Sequence, residues 1–305
     1  LLPSKERYLN GIRIVLAGIK IHFDLMLELG KVRITSFVAV STSVGYLLYT
    51  GRLEWRMIFP VFAVFLLASG SSSLNHFQER NLDSMMDRTK GRPIPSGRAT
   101  PFYAVTVSIV LALMGSVLLL FSANLISMLL GLLALIWYNA VYTPLKKRYA
   151  LAVVPGSVIG VIPPVIGWVA AGGAPTDMKI ISLALFFFIW QIPHFWLLLL
   201  LYSKDYEKAG FPTLTRIFSN GQLGRITYVW MAALAASCML IPVFNFSYSI
   251  VSVVVMLLLG VWLMIDSRKI LSGYLEKMSF RRAFVRINLY VLAVVIILSI
   301  DKLFL

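Results

Sequence analysis

Asn75-His76-Phe77-Gln78-Glu79-Arg80-Asn81-Leu82-Asp83-Ser84-Met85-Met86-Asp87-Arg88-Thr89-Lys90-Gly91-Arg92-Pro93 sets acidic residues at four-residue steps behind an apolar run and leads straight into a cationic loop. The chain has only 13 Asp plus Glu in 305 residues, and three of them stand here. Residues four apart share a helical face, so Asn75, Glu79 and Asp83 aim their oxygens at one small volume, with Asp87 one turn further on. Such a volume suits a hard divalent cation, and the cation in turn a phosphate. The same residues also read as a plain marker of the water boundary at a helix end. Ser71, Ser72, Ser73, Asn75, His76 and Gln78 favour the first reading, because they make the helix polar before the carboxylates begin and so predict a protein-lined cavity. Arg88, Lys90, Arg92 and Arg98, on a Pro- and Gly-broken loop, are natural counterparts to a phosphate.

Composition sets the medium. Hydrophobic residues make up 59% and charged residues 13% of the chain, about half the charged share of an ordinary soluble domain. The chain is therefore read as an all-α polytopic membrane protein. Uncharged runs long enough to cross a bilayer predict nine spans, near 34–51, 57–77, 103–121, 124–143, 152–171, 180–202, 226–243, 249–265 and 287–304. Ahead of them Lys5, Arg7, Arg13, Lys20, Asp24 and Glu28 interrupt the apolar pattern, which predicts an amphipathic helix on the membrane surface rather than a signal peptide. The expected organisation is an interfacial segment over 1–33 and one intramembrane domain over 34–305.

Orientation follows from the basic residues. With the amino terminus inside, 24 of the 28 Lys and Arg fall on cytoplasmic segments, leaving Arg52, Arg56, Lys179 and Lys302 outside. The carboxyl terminus is then expected on the opposite face. The net charge of +15 reports this orientation first, and nucleic-acid binding is a poor reading because the cations are spread over loops between apolar helices. Cys238 stands alone in an apolar run, so neither a disulfide framework nor a cysteine metal site is expected.

A second polar constellation closes the sixth span, in Trp190-Gln191-Ile192-Pro193-His194-Phe195-Trp196, followed by Tyr202 and Asp205. Steps of three and four predict Gln191, His194, Tyr202 and Asp205 on one face. For His194, a neutral imidazole bonded inside the bundle and a ligand role both stand. Pro193 is expected to bend the helix there. Between the two constellations, Lys146, Lys147 and Arg148 read either as a stop-transfer anchor or as phosphate-holding cations. Charge thus gathers at one mouth rather than at mid-depth, which favours an enzyme with an apolar substrate in the bundle over an ion transporter. The second and sixth spans are expected to face each other across one cavity.

With these positions in view the chain resembles the UbiA-type intramembrane prenyltransferases, and within them the heme-modifying branch. Asn75-xxx-Glu79-xxx-Asp83 with Asp87-Arg88-Thr89-Lys90-Gly91-Arg92-Pro93, then Tyr142-Thr143-Pro144-Leu145-Lys146, Gly160-xx-Pro163-Pro164-xx-Gly167-Trp168, and Trp190-Gln191-Ile192-Pro193-His194-Phe195-Trp196 with Asp205-Tyr206 carry the likeness. It departs at Leu201, where many members of the superfamily have a further Asp four before Asp205, and at Glu79, where they commonly have Asp. The resemblance implies a nine-helix bundle in a bacterial inner membrane that moves a farnesyl group from farnesyl diphosphate to heme b. It implies Mg²⁺ on Asn75, Glu79, Asp83 and Asp205, with Asp87 among the catalytic acids. It further implies diphosphate on Arg88, Lys90, Arg92, Lys146 and Arg148, and the acceptor near Trp190, Gln191, His194 and Tyr202. Downstream partners implied are a heme A synthase or a terminal oxidase assembly. A quinone-precursor prenyltransferase and a non-catalytic heme-handling protein are the alternatives.

Overall fold

The computed structural model describes residues 3–244, 249–272 and 277–304; the side chains of Lys5, Arg7 and Lys277, counted above for orientation, lie outside the described ones. Within a hydrocarbon layer each backbone donor and acceptor needs a partner in its own segment, and an apolar run meets that need as a helix. Among the described residues every regular element is helical. The order is α1 (Pro3–Leu29), α2 (Val32–Thr50), α3 (Ile58–Asp83), α4 (Pro101–Ser122), α5 (Leu125–Ile136), α6 (Thr143–Leu145), α7 (Val153–Gly156), α8 (Val158–Ala170), α9 (Met178–Leu201), α10 (Ser203–Lys208), α11 (Asn220–Cys238), α12 (Leu240–Val243), α13 (Ile250–Ser267) and α14 (Lys277–Phe304). Nine segments of this set are long and apolar enough to cross a membrane, matching the nine expected.

Polar residues set the ends. Thr100 accepts from the Tyr103 N–H with Pro101 in the first turn of α4, Asn124 accepts from Ser127 ahead of α5, and Ser219 and Gln222 form a reciprocal capping box on α11. Inside, Phe186, Ile180, Leu183, Trp196 and Leu197 of α9 pack with Tyr290 of α14 in the largest apolar cluster, which also takes in Cys238. Outward-facing Phe37, Phe102 and Phe121 stand exposed, as a hydrocarbon solvent allows.

Two helices touch at backbone distance. A Cβ added to Gly45 of α2 would overlap the Pro164 carbonyl oxygen of α8, and one added to Gly167 of α8 would overlap the Thr42 carbonyl oxygen of α2. The two glycines let the helices interlock, the role small residues play where lipid offers no hydrophobic drive.

The structure corrects two readings of helical register. α3 runs past the expected end near 77 and carries the acidic stripe, yet it stops at Asp83, so Asp87 leaves the ladder. Thr89 Oγ1 donates to the Asp83 carbonyl at 2.9 Å and the Arg92 N–H reaches Thr89 O at 3.0 Å, so side chain and turn satisfy what another helical turn would have. Likewise α9 passes Pro193 and ends at Leu201, with Tyr202 at φ −114°, ψ 19°, which places Asp205 on the separate α10. Gln191, His194, Tyr202 and Asp205 therefore do not form a single stripe.

Candidate active site

The ends of α3 and α9–α10 meet. The Arg88 N–H donates to Asp205 Oδ2 at 3.3 Å, and Lys208 Nζ pairs with Asp87. The contact joins the loop after the second span to the short helix after the sixth.

On α3 the stripe is buried, with Asn75 1%, Glu79 5% and Asp83 0% exposed. Buried carboxylates need partners, and each oxygen group has found a cation from a different part of the chain. Lys31 Nζ donates to Asn75 Oδ1 at 3.0 Å, Lys146 Nζ lies 2.7 Å from Glu79 Oε1, and one Arg92 guanidinium nitrogen reaches both Asp83 oxygens at 2.7 Å. Asn75 Nδ2 gives its hydrogen bond to Thr143 Oγ1 at 3.3 Å, which turns its carbonyl oxygen toward the cations.

Lys31 is the residue that sequence reasoning missed as a site residue. It sits in the turn between α1 and α2 with a left-handed φ of 48°, rare for a side-chain-bearing residue, and Gly30 packs against Ser69 beside it. Burial, with Arg92 and Lys146 close by, pulls its ammonium down to about 7. Burial acts against Lys146 as well, but the Glu79 carboxylate outweighs it and holds that ammonium above the ordinary lysine value. Two carboxylates face Lys146 and Arg92, so protonation of Lys31 gives the cluster a surplus of positive charge. It is a place made for a multiply charged anion.

The wall between α5 and α6 is a π-helical turn, Trp137–Tyr142. One extra residue per turn brings Asn139 to Ser71 Oγ at 2.6 Å, its carbonyl to Gln78 Nε2 at 2.9 Å, and Tyr142 to 5.3 Å from Lys146 Nζ.

At the rim the remaining predicted cations divide. Arg88 lies over the ring of Tyr202 at 4.9 Å, and Tyr202 is 38% exposed. Lys90 pairs with Asp87 at 3.0 Å. Arg148 is exposed and, among the described residues, its side chain makes no hydrogen bond or ion pair, so it is not brought into the cluster. Asp87, held by Lys208 first and Lys90 second, has its carboxyl pulled down to about 2. A carboxyl depressed in the folded state ties the loop fully above its ordinary value near 3.8 and releases it as pH falls through about 2. The tie is thus expected to hold unchanged across pH 5–9 and to weaken with salt, since both partners are exposed. Limited proteolysis of the loop at rising ionic strength checks this.

Further into the bundle Gln191 is buried against Gly160, where an added Cβ would lie 2.6 Å from its Oε1. His194 faces α14 instead, its Nδ1 2.8 Å from Asn288 Oδ1. Phe195 stacks on Tyr142 at 5.9 Å, and Trp190 lies 5.0 Å from the imidazole.

A divalent cation fits the donors on α3. Asn75, Glu79 and Asp83 offer, on one buried helical face, the oxygen set that Mg²⁺ takes once their lysine and arginine partners turn to the anion. Among the described residues no three His, Cys, Asp or Glu side chains form a metal-binding group, and Asp205 stands apart on α10.

The UbiA prenyltransferase family matches residues 38–290, and the chain belongs to that family. It is an integral membrane prenyltransferase. A relative from Geobacter sulfurreducens named protoheme IX farnesyltransferase is 42% identical over 72% of this chain and 81% of its own length. Among solved structures, a digeranylgeranylglyceryl phosphate synthase aligns with a TM-score of 0.77 at 15% identity, covering 93% of this chain and 99% of that one. A UbiA homolog from Archaeoglobus fulgidus bound to GPP and Mg²⁺ aligns with a TM-score of 0.62 at 14% identity, over 90% and 99%. At these identities the two structures establish the shared fold.

Proposed function

We propose that the chain transfers a farnesyl group from farnesyl diphosphate to a vinyl group of protoheme IX and adds water, giving heme O and diphosphate. The observation that carries this reading is the buried stripe Asn75, Glu79 and Asp83 ringed by Lys31, Lys146 and Arg92 at the mouth of an apolar bundle. The naming of the Geobacter relative supports heme as acceptor, and the ligands of the Archaeoglobus homolog support Mg²⁺ with a prenyl diphosphate.

In this reading Asn75, Glu79 and Asp83 would hold Mg²⁺, and Asp205, apart on α10 in this structure, would complete the set when the metal binds. When bound, the metal supplies Lewis-acid stabilisation of the leaving diphosphate. Lys31, Arg92 and Lys146 bind the diphosphate, and Arg88, Lys90 and Arg148 guide it in from the rim. The bond between farnesyl C1 and the diphosphate oxygen breaks with its electron pair on oxygen. C1 bonds to the terminal vinyl carbon, water bonds to the neighbouring carbon, and one proton is released. The stacked rings of Tyr142 and Phe195 help keep water from the allylic cation until the carbon bond has formed. Trp190, Gln191, His194 and Tyr202 line the acceptor side. The site lies on the cytoplasmic face of a bacterial inner membrane, and the product passes to a heme A synthase or a terminal oxidase.

The test is membranes expressing the chain, supplied with heme b, farnesyl diphosphate and Mg²⁺ and analysed by mass. Farnesylated heme is expected, and chelator is expected to abolish it. Prenylation of a hydroxybenzoate with heme ignored would overturn the acceptor. Asp87→Asn is expected to raise KM for farnesyl diphosphate several-fold with a smaller change in kcat, since it frees the loop from α10 without touching the buried stripe.

A further inference from the structure

Asn288 of α14 has no place in the motifs read from the sequence, yet among the described residues it makes the one hydrogen bond of the His194 ring. Its Nδ2 donates to the Phe284 carbonyl, one turn back on the same helix, at 2.5 Å. Exchanging the amide oxygen and nitrogen would set oxygen against that carbonyl oxygen, so the network fixes Oδ1 toward His194. An amide oxygen only accepts. His194 Nδ1 therefore carries the hydrogen, and the neutral ring keeps its lone pair on Nε2, the form in which imidazole binds metals.

The surroundings lack a partner for that lone pair. Among the described residues Nε2 makes no hydrogen bond, and the half-buried ring is flanked by Trp190, Phe284 and Phe195 at 5.0, 4.9 and 5.7 Å. Trp190 Nε1, on the same patch, is a buried donor that is also without a partner. The Nε2 lone pair is on a half-buried ring and the Trp190 N–H is a buried donor without a partner, so the aromatic patch offers a coordinating nitrogen and a hydrogen-bond donor side by side, the pair that suits a flat, mostly apolar ligand with a Lewis-acid centre and a peripheral acceptor. A metalloporphyrin has that chemistry. The patch also connects to the diphosphate cluster through contacting side chains: Phe195 stacks on Tyr142, Tyr142 lies beside Lys146, and Lys146 pairs with Glu79.

We propose that His194 Nε2 is an axial ligand to the iron of the heme acceptor and that Asn288 is a positioning residue that fixes the ring and its tautomer for that bond. The proposal rests on the reading of heme as acceptor given above.

The test titrates ferric heme into the purified full-length chain in detergent and reads the Soret band and the electron paramagnetic resonance of the iron, with metal-free protoporphyrin IX as the second probe. Wild type is expected to show nitrogen ligation, and His194→Ala to lose it while still binding metal-free protoporphyrin as wild type does. Asn288→Leu is expected to weaken heme binding about 10–100-fold, as loss of the partner behind a metal-bound imidazole does, and Asn288→Asp, which still accepts from Nδ1, to restore it. Ligation spectra that His194→Ala leaves unchanged would overturn the proposal, even with farnesylated heme still formed in the membrane assay. Wild-type heme affinity and spectra in Asn288→Leu would overturn the role of Asn288. If the chain forms farnesylated hydroxybenzoate and binds no heme, the acceptor reading falls first, and the inference with it.

Discussion

Asp83→Asn is expected to lower farnesyl transfer by about 10³-fold or more and to destabilise the fold at the same time. The side chain is fully buried and both its oxygens take one nitrogen of Arg92, whose side chain is 20% exposed. The amide keeps the volume but gives up the charge. Arg92 then faces a neutral group in a cluster that already holds Lys31 and Lys146. Removing one partner of a buried pair costs roughly 3–5 kcal/mol, and the partial exposure of Arg92 argues for the low end, about 3 kcal/mol. Stability and chemistry are separable by replacing both partners. Asp83→Leu with Arg92→Met is expected to recover most of the melting temperature in detergent and none of the product. Recovery of product in the double variant would mean that Asp83 serves only as a counter-ion, and its assignment to Mg²⁺ would fall.

The other large effect lies far from the charges. Gly167→Ala and Gly45→Ala each drive a methyl group into the carbonyl oxygen of the facing helix, Thr42 in one case and Pro164 in the other. Overpacking a tight contact costs about 1–3 kcal/mol when a flexible side chain can yield. Here the obstacle is backbone, so about 3 kcal/mol or more is expected for each, read as the loss of melting temperature of the purified chain. Gly18→Ala, where nothing lies within 4 Å of the new carbon, is expected to stay within about 0.5 kcal/mol of wild type. Because α2 begins next to Lys31, pushing α2 from α8 is also expected to move that ammonium off Asn75 and to raise KM for the diphosphate substrate. Thermal stability equal to wild type in Gly167→Ala would show that the two helices are not held at this distance.

Much of this architecture was legible because hydrocarbon imposes it. Long uncharged runs have one solution in lipid, and the positions of nine spans and of the buried acidic stripe follow from apolar length and a four-residue step. The step misled at its ends. Asp87 and Asp205 continue the arithmetic of the pattern, but Thr89 capping the Asp83 carbonyl and the helix end at Leu201 interrupt both helices first. Local patterns carry no sign of partners far along the chain, which is why Lys31, 44 residues from Asn75, counted only as a cytoplasmic charge. Asn288, 94 residues from His194, gave no signal in an apolar helix. The π-helical turn was equally silent, since Trp137–Tyr142 has the composition of any aromatic stretch near a membrane surface.

The three parked cations have a kinetic corollary. With Lys31 on Asn75, Lys146 on Glu79 and Arg92 on Asp83, arrival of substrate swaps partners and sends no bare charge into a dry interior. Departure of inorganic pyrophosphate must run that exchange backward, with more negative charge on the leaving anion than the substrate brought. Added pyrophosphate is therefore expected to slow the protein at concentrations well below those at which farnesyl alcohol does.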